Sequence, residues 1–290
     1  MTVAVVYVAR GDSIGLLSIE SFFDAYKHFP AGYPHRLVVI AKGWSNVPSL
    51  SRIAELAQSV GADLIRMPDD GFDWGAYMRI AGDLKEEFLC LLNTHSRPRV
   101  PGWLAFLRQH ASLSDVGAVG ATGSWSSISG GWSQFERDVQ SMTLYPIRFV
   151  RDLAKICRYR RSFPAFPNPH LRSNAFMVAR ERFVSFSSCR SIPKSKQEAH
   201  ILESGRNGFT VYLKSLGLRV VVVGADGVAY NPNEWIRSCT FRSPDQLNLL
   251  VSDNQTRNYQ EAGFYLKGRL ENAAWGQVLS LPVSSDSKIK

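Results

Sequence analysis

The segment Thr2–Ala9 (TVAVVYVA) constrains the fold more than any other part of this chain. It is an unbroken apolar run of strand length, rich in β-branched residues. A strand of that kind has no face to offer water, so it belongs inside a parallel sheet covered by helices on both sides. Arg10, Gly11 and Asp12 make the turn that follows, and Leu16–His28 then reads as a helix.

The alternation continues. Arg36–Ala41 is a second strand and Ser49–Val60 a helix stopped by Gly61. Ala62–Met67 is a third strand, Asp73–Leu84 a helix, Glu87–Leu92 a fourth strand, Pro101–His110 a helix and Val116–Val119 a fifth strand. Strand–helix alternation of this regularity predicts an α/β fold with a doubly wound, mostly parallel (mixed) sheet flanked by helices. Such sheets bind ligands beyond the carboxyl ends of their strands. The segments after Ala9, Ala41, Met67 and Leu92 are therefore the places to look for function.

The second half is less regular. Ser124–Gly131 is a polar loop, Ile147–Arg161 a basic helix, Asn174–Ala179 a strand, Ser195–Leu216 helical, and Leu218–Val223 a strand. No Pro/Gly/Ser-rich linker separates the halves. One domain over 1–275 is expected, with 1–125 and 126–275 as its halves and 276–290 as a polar tail. The apolar N-terminus reads as a strand and not as a signal peptide, and no stretch reaches membrane-spanning length. The four cysteines include no Cys-x-x-Cys pair, which argues against a zinc site and for a reducing compartment, with Cys90 a buried thiol. The formal net charge of +9 attracts anions without choosing among them, and no nucleic-acid-binding module is recognisable.

Two neighbouring segments carry a resemblance. Asp70–Ala81 reads DGFDWGAYMRIA, and Glu86–Pro98 closes with EEFLCLLNTHSRP. Together they resemble GT-A-fold nucleotide-sugar glycosyltransferases of the bacterial surface-polysaccharide type (glycosyltransferase family 2-like). In these a Gly-bearing helix start precedes a strand that ends in Asp-x-Asp. The resemblance covers the first 125 residues well and the remainder loosely. It implies a GT-A-like single domain and a nucleoside-diphosphate sugar as donor. The acceptor would be a saccharide or lipid-linked saccharide, and no nucleic acid is expected as a partner.

Asp73 and Gly75 would then lie at a helix N-terminus, where backbone N–H groups and the helix dipole favour phosphate; the alternative for Asp73 is a plain N-cap. Ala9, Arg10 and Lys42, at the first two strand ends, fall where this fold contacts the nucleotide. The chain departs from the family at the Asp-x-Asp position, which reads Asn93-Thr94-His95-Ser96. Magnesium prefers carboxylate oxygen, whereas imidazole suits manganese and later metals. Either His95 helps hold a metal with a carboxylate from elsewhere, or the diphosphate is neutralised without one.

Further candidates follow from the resemblance. Trp125 would offer a platform for a sugar, or else pack in the core. His170 and Arg172 precede a strand and would face the cleft. Lys196, Glu198, His200, Glu203 and Arg206 lie together in KQEAHILESGR. An inverting transferase needs a carboxylate base. Glu203 best matches the family's position, with Glu198 as its rival, and Arg206 would neutralise the leaving diphosphate. The basic segment Arg148–Arg161 would meet an anionic membrane surface or simply be solvated. The function read from the sequence is a cytoplasmic glycosyltransferase of surface polysaccharide synthesis, either free or on the inner face of the membrane. The alternatives are a degenerate, non-catalytic nucleotide- or glycan-binding relative and a nucleotidyltransferase. The latter lacks support, because the first strand is followed by no Gly-rich, Lys-bearing loop.

Overall fold

The structure, a computed structural model, describes residues 2–11, 15–128 and 157–276. Residues 129–156, with most of the basic segment Arg148–Arg161, and the tail from residue 277 lie outside these.

Strands β1 (Val3–Arg10), β2 (Arg36–Lys42), β3 (Asp63–Met67) and β4 (Phe88–Leu92) form a parallel block. Helices α1 (Gly15–His28), α2 (Val47–Gln58) and α3 (Phe72–Ile80) connect them. The short β5 (Arg97–Pro98), helix α4 (Trp103–Ala111), β6 (Val116–Gly120) and β7 (Gly123–Ser124) follow. β8 (His170–Leu171) pairs with β7, and β9 (Ala175–Ala179) enters the main sheet antiparallel between β4 and β6. Helices α5 (Arg180–Ser188), α6 (Lys196–Ser204) and α7 (Phe209–Ser215) lead to β10 (Arg219–Val223) and β11 (Ala229–Tyr230). After these come β12 (Val251–Ser252), α8 (Asn254–Glu261) and α9 (Phe264–Trp275). The eight-stranded order is β11-β10-β6-β9-β4-β1-β2-β3.

This is a single α/β domain with a mixed, largely parallel sheet between helical layers, as the sequence predicts. β1 lies between β2 and β4, and every residue from Val3 to Ala9 is buried. Alternate residues feed two cores. Ala4, Val6 and Val8 pack in the layer that holds Trp74 and Tyr77, while Val5, Tyr7 and Ala9 pack in the layer of Phe22 and Phe23. Tyr7 stacks on Phe22 with ring centroids 3.7 Å apart. The thiol of Cys90 is buried as expected, and burial pushes its pKa up.

The two halves share one sheet. β6, β9 and β10 complete one sheet with β4, so residues from both halves reach the same carboxyl edge. Residues 225–276, which gave no clear sequence signal, wrap this edge and bury Trp235 and Trp275. Among the described residues no helix is long and apolar enough to cross a membrane.

Candidate active site

The carboxyl ends of β1, β2 and β3 deliver Arg10, Lys42 and, just past Met67, Asp69. The Asp69 carboxylate joins the other two, with Arg10 Nε at 3.3 Å and Lys42 Nζ at 3.4 Å. Gly43 makes this approach possible. Its φ is +71°, and a Cβ there would come within 2.4 Å of Asp69 Cβ. Lys42 is only 1% exposed, and its ammonium also donates to the Phe72 carbonyl at 2.8 Å. That carbonyl is aimed by an uncommon turn, with Gly71 at φ +73° and Phe72 at φ +54°. A non-glycine residue held there costs roughly 1–3 kcal/mol and persists only where its surroundings enforce it.

The turn launches α3. Gly71 is the N-cap, so Asp73 lies in the first turn and not at the cap itself. The motif's spacing now has a physical meaning. Trp74, Ala76, Tyr77 and Ile80 are buried core residues, and Trp74 sits among Phe176, Phe183, Phe186 and Phe209. Asp73 takes the other direction, into the field of Lys42 and Arg10. Burial pushes its pKa up, and Lys42 and then Arg10 oppose the shift. Its carboxylate has no hydrogen-bond partner among the described residues. The same burial lowers the pKa of Lys42, against the pull of Asp69 and Asp73. Gly75 donates its N–H to Gly71 O at 2.6 Å, and its bare Cα faces Ile192 and the Asp70 carbonyl. The glycine thus lets the 192–194 loop pack close. A cleft of about 410 Å³ opens here, lined by Arg10, Lys42, Asp69, Arg79, Ile192 and Lys194 among others. Its size falls within the range of small-molecule sites.

Beyond β4, Asn93 to Ser96 form a compact turn. Asn93 Oδ1 accepts from the His95 N–H at 3.0 Å and from Ser96 Oγ at 2.9 Å, and Ser96 Oγ also donates to Asn174 O. The Thr94 carbonyl accepts from the Tyr7 hydroxyl at 2.8 Å, and His95 Nδ1 lies 3.2 Å from Ser18 Oγ. These residues do not make a cage for a hard divalent cation. The Asn93 oxygen is committed to the turn, the turn contains no carboxylate, and no group of three or more His, Cys, Asp or Glu converges among the described residues.

Glu203 reaches the site from the last turn of α6, not from a helix start. Its Oε1 accepts from the Ser173 N–H at 2.7 Å, and Oε2 lies 3.8 Å from His200 Nδ1. Burial alone would raise its pKa. His200, His170 and the Ser173 N–H outweigh that effect and bring it down to about 2. Glu203 and Asp73 are electrostatic neighbours. Glu198 is placed differently. Its two oxygens accept from Lys194 N and Ser195 Oγ, while Ser195 caps its own N–H, so it closes the start of α6.

Three other candidates, Trp125, His170 and Arg172, take up packing positions, and Arg206 and Lys196 lie at the surface. Trp125 donates its indole N–H to Pro232 O at 2.8 Å and meets Trp275 edge-on. His170 is buried on Asn168 O, and burial lowers its pKa. Arg172 forms a buried ion pair with Asp253 at 2.6 Å and lies over the Phe241 ring. Arg206 is exposed and donates to Arg160 O, and Lys196 is exposed on α6. The sequence reading missed Asp69, although it occupies the strand end next to those of Arg10 and Lys42. It also missed Tyr7, Arg97, Ser173, Asp253 and Arg257, for which no local pattern exists.

These features define a single α/β domain with a mixed, largely parallel sheet and its polar residues gathered at the carboxyl edge. No protein-family model matches the sequence, and no curated protein does. Solved structures are similar at the level of the chain trace. The mannosyltransferase PcManGT from Pyrobaculum calidifontis, in complex with GDP-Man and Mn2+, aligns at TM-score 0.45 and 14% identity, over 76% of this chain and 53% of that one. Glucosyl-3-phosphoglycerate synthase from Mycobacterium tuberculosis aligns at TM-score 0.36 and 16% identity, over 62% and 56%. S. aureus TarS aligns at 0.32 and 11%, over 41% and 21%. The matched region spans about half the length of the first two.

Proposed function

We propose that this protein is a glycosyltransferase that moves a sugar from a nucleoside-diphosphate sugar to a saccharide acceptor in surface polysaccharide synthesis, with inversion. One observation carries the reading. Two carboxylates, Asp73 and Glu203, share the carboxyl edge of the sheet with the cations Lys42 and Arg10, beside a cleft of ligand size. Asp73 retains free acceptor capacity for a ribose or sugar hydroxyl. Arg10 and Lys42 bring positive charge to the phosphates.

In the chemical step the acceptor hydroxyl oxygen attacks the anomeric carbon. The bond from that carbon to the diphosphate oxygen breaks, and the nucleoside diphosphate leaves with the electron pair. Glu203 Oε2 takes the hydroxyl proton. With a pKa near 2, Glu203 is ionised but weakly basic in the free protein. An acceptor that covers the site adds burial, the influence that already pushes this pKa upward. A lipid-linked acceptor would bring the enzyme to the inner face of a membrane. Binding there should be salt-sensitive and selective for anionic vesicles.

The test is a thermal-shift screen of nucleoside diphosphates and their sugars, with EDTA or with manganese, followed by transfer assays on the hits. Ligand binding to the folded state raises the melting temperature by mass action. Asp73→Ala should weaken nucleotide-sugar binding, and so shrink the shift, while the protein stays folded. No shift with any nucleotide would sink the donor reading. A shift without turnover on any acceptor would favour the non-catalytic binder, which the missing Asp-x-Asp motif suggests.

A further inference from the structure

The segment after the Asn93–Ser96 turn pairs with a distant part of the chain. β5 lies antiparallel to β12, with Arg97 opposite Ser252. Asp253 follows directly as the N-cap of α8, and Arg257 stands one turn further on. The Arg257 Nη1 donates to the His95 carbonyl at 3.1 Å, which fixes it against the turn. Arg97 and Arg257 are both half-buried and lie within each other's field. The Arg97 Nε is buried with no hydrogen-bond partner.

Neither guanidinium forms an ion pair with a carboxylate among the described residues. Asp253, one turn before Arg257, already has a partner on each carboxylate oxygen. Its Oδ2 accepts from Arg172 at 2.6 Å and its Oδ1 from the Thr256 N–H at 2.8 Å. Asp253 and Glu261 soften the field at Arg257, but burial and the charge of Arg97 still lower its pKa. The hydroxyl of Tyr7, under the turn, senses Arg97, Arg257 and Asp73 together. Through the Asn93–Ser96 turn, which the Tyr7 hydroxyl of β1 holds and Arg257 braces, the two arginines stand at the same edge of the sheet as Arg10 and Lys42. Like charges held half-buried without a counter-ion are unfavourable until an anion arrives, and guanidinium groups bind phosphate oxygens through paired N–H donors.

We propose that Arg97 and Arg257 form a diphosphate-binding site at the end of β4, placed to take the negative charge that develops on the departing nucleoside diphosphate. The site supplies the cationic partner at a turn whose own side chains are unsuited to a hard metal ion. Its role in transfer rests on the proposed transferase function, whereas its affinity for a diphosphate does not.

The experiment is calorimetric titration of the wild-type chain with inorganic pyrophosphate in EDTA at low salt, repeated with nucleoside diphosphates and the parent nucleosides. Pyrophosphate should bind in EDTA. Arg97→Gln and Arg257→Gln should each weaken it about tenfold or more, the size of one charge-assisted hydrogen bond. Nucleoside affinity should not change, and Arg36→Gln, at the opposite end of the sheet, should behave as wild type. Should a Gln variant fail to fold, Arg97→Lys and Arg257→Lys keep the charge and lose the paired donors, and should fall in between. Wild-type protein that binds pyrophosphate only with added manganese overturns the proposal, as do Gln and Lys variants that bind it as well as wild type does. Loss of pyrophosphate binding in the variants without any sugar transfer by the wild type would refute only the transferase reading. Nucleotide binding indifferent to both arginines would refute only this site.

Discussion

Glu203→Gln separates a structural carboxylate from a catalytic one, because the two roles leave different signatures. The variant keeps the shape and can still accept from the Ser173 N–H, but it loses the charge that faces His200 and His170. Lowering a carboxyl from its ordinary 4.5 to about 2 on folding stabilises the native state by at most about 3 kcal/mol. The side chain is 17% exposed, so this ceiling needs only modest discounting for solvent. The sign is definite. A depressed folded-state pKa gives stability that is fully present above about pH 4.5 and is lost as the pH falls toward 2. Urea unfolding of wild type and variant from pH 7 down to pH 3 should show a difference of about 2–3 kcal/mol at neutral pH that shrinks below pH 4.5. A difference that is flat with pH, or grows on acidification, would refute the electrostatic account. Transfer assays supply the second axis. A base contributes about 10²–10⁴-fold, so kcat should fall by that factor while donor affinity holds. Glu198→Gln should cost cap stability and leave kcat nearly unchanged. If kcat falls for Glu198→Gln and not for Glu203→Gln, the base has been misassigned.

Arg172→Met should lower unfolding stability by about 3–5 kcal/mol, because it strands Asp253 as a buried charge. Arg172→Met with Asp253→Leu should recover part of that loss in the same urea titration, and equal losses would argue against a coupled pair. Gly43→Ala forces a side chain into a left-handed conformation and against Asp69, so it should cost about 1–2 kcal/mol. It should also weaken nucleotide binding by displacing the carboxylate that gathers Arg10 and Lys42; unchanged affinity by calorimetry would detach Asp69 from the site.

How much the sequence revealed depended on the distance over which each interaction acts. The apolar run Thr2–Ala9 and the strand–helix alternation after it are local patterns. They dictated the parallel block and, with it, the strand ends that carry Arg10 and Lys42. In DGFDWGAYMRIA the buried Trp74, Ala76, Tyr77 and Ile80 follow helical periodicity, which leaves Asp73 as the residue turned toward the edge. The serine of SKQE caps α6, so the role of Glu198 was also written in a local capping pattern.

The rest was decided by pairings without a local trace. β9 inserts antiparallel between β4 and β6, and only that insertion brings Ser173 to Glu203 and Asn174 to the Asn93 turn. Arg172 meets Asp253 across 81 residues of chain, and Arg257 meets His95 across 162. Periodicity reports which face of one element is buried, and motifs report what a short backbone segment presents. Neither records which distant side chain supplies the counter-charge. The sequence by itself therefore determined the sheet's parallel half, its polar edge and the identity of Lys42 and Asp73 as edge residues. The tertiary structure alone decided that Glu203 lies electrostatically beside Asp73, that Arg172 is committed to an ion pair, and that Arg97 and Arg257 are left without one, because the balance of buried charge is set by the packing of elements far apart in the chain.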